Sequence, residues 1–212
     1  MTSPLNKKNR QLILAPTFGI VIFVILYVVA ANLYPGGSQV DKNSIGFSWL
    51  NNYWCNLLNE YAVNGILNPA KPVAVFAMLI LSLSLSIFWV VFPNYVNSQR
   101  KTKWMIQVSG IVSMTIASLL FTDFNHDAVS YLAAAFGFIA TAGTFLELLR
   151  LKWKALSVLG ISNFFFIALN AYLYYTKDHI VYLPLIQKLA FACFLIWIAG
   201  IDLNLYRRPT LN

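Results

Sequence analysis

Charge is what this sequence has least of. Lys, Arg, Asp and Glu together make up only 10% of it, against about 25% in an ordinary soluble domain. The shortage falls mainly on the acids, with 7 acidic against 15 basic residues and a net charge of +8. Histidine occurs twice, which excludes a three-histidine zinc centre. The 2 cysteines, Cys55 and Cys193, have neither metal nor redox spacing. Cys193 sits in the middle of an apolar run and Cys55 outside one, so no bridge between them is expected. The chain contains no P-loop, HExxH, GxSxG, CxxC or Rossmann glycine fingerprint, and so none of the chemistry those motifs position. It has no spaced arginines of a voltage sensor and no potassium-filter sequence. Internal repeats, heptads and low-complexity segments are also missing.

Apolar sequence fills the space. The 212 residues are 59% hydrophobic, with mean hydropathy +0.66, which places the chain in the membrane class. The patterning predicts an all-α polytopic membrane protein forming a single domain over 1–212, a six-transmembrane-helix bundle. The spans are expected at about 11–34, 72–93, 104–121, 126–149, 155–175 and 183–206. VVAAN at 28–32 resembles a signal-cleavage site, but the apolar stretch before it is longer than a usual signal core of ~7–15 residues, so the first span is read as retained. Between the first two spans, Phe47, Leu50, Trp54, Leu57, Leu58 and Tyr61 recur at helical spacing opposite an Asn/Glu stripe. That predicts one interfacial amphipathic helix at about 46–64.

Net charge in a soluble protein would raise nucleic acid as a partner; here none is expected, because the basic residues flank apolar runs. Six spans put Lys7, Lys8, Arg10, Arg100, Lys101, Lys103, Arg150, Lys152, Lys154, Arg207 and Arg208 on one side, leaving Lys42, Lys71, Lys177 and Lys188 for the other. The positive-inside rule then puts both termini in the cytoplasm of a multi-pass protein of the cytoplasmic (inner) membrane, with the lipid bilayer as its first partner.

The polar residues fall into two layers. The outer one centres on TDFNHD at 122–127, which opens the fourth span. Asp123, His126 and Asp127 stand at i, i+3 and i+4 and can reach one point. They are candidate catalytic acid–base groups, and the candidate ligands for a divalent metal. They equally suit a helix start, where acids favour the dipole and Asp123 caps the first turn. No cofactor is otherwise expected. Asn56, Glu60, Asn163, Asn170 and Lys188 are candidate ligand-binding residues for a lipid or small polar ligand. Lys188 either snorkels to the head groups or pairs with Glu60 or Asp123 in an acidic pocket suited to an amine-bearing or zwitterionic ligand. The inner layer contains Gln107, Glu147 and Asp202. These carboxylates are either paired at helix ends or take part in proton or cation coupling. His126 to Glu147 is 21 residues, roughly 31 Å of helix and about one bilayer core. Ser130, Ala133, Gly137 and Thr144 are expected to pack that helix against its neighbours.

The segments CNLLNEYAVNGILNPAKP, FTDFNHD and PLIQKLAFACFLIW resemble a group of uncharacterised prokaryotic six-span membrane proteins, domain of unknown function nine-nine-eight. The resemblance implies a six-helix membrane bundle and supplies no catalytic residues. A more remote likeness is to intramembrane metal hydrolases related to alkaline ceramidases and progestin/adiponectin receptors, seven-span bundles with a three-histidine metal centre. This chain departs from them in lacking those histidines and one span. Three functions follow: binding or processing of a lipid or small polar ligand in an outer cavity, proton- or cation-coupled transport, and an accessory membrane role. The residues name no reaction, so whether the chain is an enzyme is left open.

Overall fold

The computed structural model describes residues 11–121 and 126–208, with the side chains of 120–126 outside the description. Among the described residues there are six long α-helices and no strand. They are α1 (Ala15–Leu33), α2 (Lys71–Tyr95), α3 (Arg100–Ala117), α4 (His126–Arg150), α5 (Lys154–Thr176) and α6 (Leu183–Arg207). Each lies within a few residues of an expected span, because a helix satisfies the backbone of a long apolar run with its own bonds.

Five of these helices are long and apolar enough to cross a membrane. The exception is α3, whose first turn carries Arg100, Lys101 and Lys103 and whose helix stops at Ala117 in a 3-10 turn. The exposed faces are apolar. On α1, Phe18, Ile22, Ile25 and Val29 form one outward stripe. Ser109, Ser113, Thr144, Glu147, Asn163, Lys188 and Asp202 are buried. This distribution is compatible with a multi-pass membrane protein, whose solvent is lipid and whose interior holds the polar groups.

The chain divides into two compact units. The first comprises Met1–Val21, Leu79–Val158 and Trp197–Asn212, and the second Ile22–Met78 and Leu159–Ile196. In the first unit α3 and α4 pack closely through small residues. Ser113 Oγ donates to the Ala133 carbonyl at 2.8 Å. Gly110 lies so near the Trp89 indole that a Cβ there would stand 2.2 Å from Trp89 Cγ. Ala133 and Thr144 are buried and Gly137 lies against Ser113, as the small-residue pattern predicts; Ser130 is half-buried.

In the second unit the expected amphipathic helix at 46–64 is not formed. That stretch holds only a 3-10 turn, Trp54–Leu58, between irregular segments. The asparagines that looked like a polar stripe bond to backbone instead. Asn52 Oδ1 accepts from the Ser48 amide at 2.8 Å, and its Nδ2 donates to the Gly37 carbonyl at 2.8 Å. Asn56 Oδ1 accepts from the Tyr53 amide at 2.7 Å. Beyond that stripe, Asn68 Nδ2 donates to the carbonyls of Asn56, Leu57 and Asn59 at 3.3, 3.2 and 2.9 Å. Side-chain bonds of this kind compete with the helix ladder, and here they prevail. Gly46, at the start of that stretch, takes a left-handed conformation (φ +70°) that a continuous helix has no place for.

Candidate functional site

Lys188 is placed by α6, between one and two turns from its start. It is 8% exposed. Its Nζ donates to the Pro184 carbonyl at 2.8 Å and to the Asn52 carbonyl. It also lies over the Phe47 ring, 5.8 Å from the centroid. Of the two acids expected to pair with it, Asp123 lies outside the described residues. Glu60 is exposed, as are the second unit's other acids, Asp41 and Asp178. Among the described residues of its unit, no acid is buried with Lys188.

Aromatic rings extend from the lysine. Phe47 meets Trp49 at 5.3 Å, Trp49 meets Trp54 at 6.0 Å, and Trp54 meets Tyr27 at 4.7 Å and Phe191 at 6.2 Å between centroids. The backbone amide of Trp54 donates to Gln187 Oε1 at 3.4 Å, so the loop is tied to α6 at two neighbouring residues. The Trp54 indole N–H is buried with no acceptor among the described residues. These rings were missed as a site because their spacing matches an interfacial anchor. The signal available was Lys188 itself, an ionisable group inside an apolar run.

Asn163 is 3% exposed, and neither Oδ1 nor Nδ2 has a partner among the described residues. A buried amide left open costs about 1–3 kcal/mol per group. Asn170 donates back to the Phe166 carbonyl at 2.9 Å, so its amide is spent partly within α5. Asn56 is buried, and its Oδ1 accepts from the Tyr53 amide and from Asn52 Nδ2. Cys55, next to Trp54, has its thiol pushed above the ordinary range by burial, with its own backbone amide and the Lys188 charge pulling the other way.

The inner-layer candidates belong to the first unit. Glu147 is buried and pairs with Arg150, whose Nη2 and Nε lie 2.6 and 2.7 Å from Glu147 Oε2. Arg150 Nη2 also donates to the Val96 carbonyl at 2.7 Å. Asp202 is 2% exposed and accepts from Thr17 Oγ1 at 2.8 Å. Among the described residues no cation pairs with Asp202. Gln107 Nε2 donates to the Val90 carbonyl at 3.0 Å. Gln107, Glu147 and Asp202 thus each have a different hydrogen-bond partner.

Asp123 and the side chain of His126 lie outside the described residues, so the geometry of the predicted trio does too. Asp127 is exposed in the first turn of α4. His179 is exposed in a left-handed conformation, 6.2 Å from the Tyr182 ring. Among the described residues no group of three or more His, Cys, Asp and Glu is placed to hold a metal. Comparison with family models, curated proteins and solved structures finds no match for this chain.

Proposed function

We propose that this is a six-span protein of the cytoplasmic membrane, termini inside, that binds a lipid or small polar ligand through a negatively charged head group at Lys188. The six-span family described above remains our proposed affiliation. Eleven basic residues assigned to one side support the orientation. In this reading α3 crosses with its basic first turn at the cytoplasmic surface.

The observation that carries the reading is a buried lysine facing carbonyls and an aromatic ring, with every acid of its unit exposed. Carbonyl dipoles orient the ammonium but leave its net charge uncompensated, and in a low-dielectric interior that charge favours an anion. The Trp54 indole N–H offers a second donor, and Tyr27 and Phe191 an apolar wall. An amphiphile with an anionic head and an apolar body matches that set of groups.

Oleate is a suitable first probe. Saturating oleate is expected to raise the unfolding temperature of the purified protein by several degrees, since ligand at about 100 Kd adds ~2.7 kcal/mol. Lys188→Gln should abolish the rise and Lys188→Arg retain most of it. An equal rise in a folded Lys188→Gln variant would rule the site out.

A second reading rests on Asp202. A buried carboxyl held by one hydroxyl, with no cation paired to it among the described residues, suits proton coupling during transport. Glu147 is less suited, being engaged by Arg150. Proteoliposomes enclosing a pH dye should acidify under an imposed proton gradient faster than empty ones, and Asp202→Asn should remove most of the difference. Wild-type vesicles no faster than empty ones would end this reading.

A further inference from the structure

We propose a second site, for the phosphate of an anionic phospholipid, at the N-terminus of α3. The recess there has a volume of about 360 Å3 and is lined by Ser98, Arg100, Lys103, Trp104 and Gln107. It is built from residues of the first unit, whereas Lys188 belongs to the second.

The sequence builds the recess from the turn after α2. Asn97 takes a left-handed conformation, φ +51°, and Gln99 is extended at the N-cap position with no side-chain bond to the helix. The amide of Lys103, donating to the Gln99 carbonyl at 2.9 Å, begins the ladder. The amides of the first turn therefore lack an intrahelical acceptor, and the helix dipole adds partial positive charge at the same end. Helix starts of this kind bind phosphate readily.

Ser98 is the observation that makes this more than a basic helix end. It is 8% exposed, lines the recess, and its Oγ has no hydrogen-bond partner among the described residues. A buried hydroxyl without a partner is an open donor and acceptor. With it stand two cations, Arg100 and Lys103, and no acid in the lining. Gln107 is held by the Val90 carbonyl, which fixes its amide at the recess wall. An open hydroxyl and two cations lining one recess are the kind of groups that a phosphate takes, since its oxygens accept several charge-assisted bonds.

A phosphate group reaches this recess either on a lipid or as the free anion. The surface beside it favours the lipid. Trp104 is 67% exposed, and Val108 and Ile111, also exposed, follow it at i+4 and i+7. Together they form an apolar lane running from the recess along one face of α3. Indole at an interface with an apolar strip behind it suits a head group and its acyl chain. The site also accounts for the charges that set α3 apart from the five more apolar helices.

The full-length protein in neutral detergent can be titrated with dioleoyl phosphatidic acid, phosphatidylcholine or inorganic phosphate, with bound adducts counted by native mass spectrometry. Phosphatidic acid is expected to bind at least tenfold tighter than phosphatidylcholine. Arg100→Gln/Lys103→Gln should remove that preference, and Ser98→Ala should weaken binding about threefold, the loss of one charge-assisted bond. Lys152→Gln/Lys154→Gln, which removes equal charge from another basic turn, should bind as wild type, and the loss in Arg100→Gln/Lys103→Gln should be the same when both proteins also carry Lys188→Gln, which removes any contribution of the site proposed above. Competition by inorganic phosphate would support recognition of the phosphate itself. Inorganic phosphate binding as tightly as the lipid would overturn the lipid as its source. Undiminished binding in a folded Arg100→Gln/Lys103→Gln variant, or equal loss in the Lys152→Gln/Lys154→Gln control, would overturn the site.

Discussion

Arg150→Met is expected to lower stability by about 2–3 kcal/mol, less than the ~3–5 of a fully buried pair because the arginine is half-exposed. The substitution leaves Glu147 as a buried carboxylate with no cation and deprives the Val96 carbonyl of its donor. The loss therefore falls on both the end of α4 and the turn that follows α2. A double variant, Arg150→Met/Glu147→Leu, should recover to within about 1 kcal/mol of wild type, because removing both charges also removes the desolvation cost. Unfolding by added SDS in mixed micelles would report both. A single variant as stable as wild type, or a double variant no better than the single, would show that the pair does not hold this corner.

Asn68→Leu should be as damaging, through hydrogen bonds alone. One buried amide bonds the carbonyls of Asn56, Leu57 and Asn59, while its Oδ1 accepts from the Ala70 amide at 3.1 Å. Leucine has a similar volume and leaves all four backbone groups without that partner. At about 1 kcal/mol or more for each buried group, a loss of ~3 kcal/mol follows. The loss should be local. Chymotrypsin is expected to cut near Tyr53 and Tyr61 roughly tenfold faster while helix content by circular dichroism stays the same, the signature of subglobal opening. Unchanged cleavage would mean that the loop is held chiefly by its aromatic rings.

Helix positions were legible because each apolar run is long and bounded by polar residues, as Lys71 and Arg150 bound α2 and α4. The Glu147–Arg150 pair was legible too, since i and i+3 are neighbours on any helix. The loop from Tyr34 to Ala70 was not. Its Trp, Leu and Asn residues recur at helical intervals, yet Asn52 reaches Gly37, fifteen residues back, and Asn68 reaches three earlier carbonyls. Such bonds leave no periodic trace. Lys188 was visible as an unusual residue, but its partners were not. Nothing in the sequence ties its ammonium to the carbonyl of Asn52, 136 residues away. The recess at Ser98 was also hidden, because a serine's lack of a partner exists only once its surroundings are built.

The distance between Lys188 and Asn52 has a consequence for biosynthesis. A chain emerges from the ribosome N-terminus first and folds as it appears. The loop before α2 is made early, but its anchors at Gln187 and Lys188 are made with the last helix. Thr17 near the start of the chain likewise waits for Asp202, 185 residues later. Until α6 arrives, both early segments lack these partners, and closure over so long an interval is entropically slow. The final helix therefore acts as a latch on the first, and a nascent chain stalled before residue 183 would hold most of its helices without either closing contact.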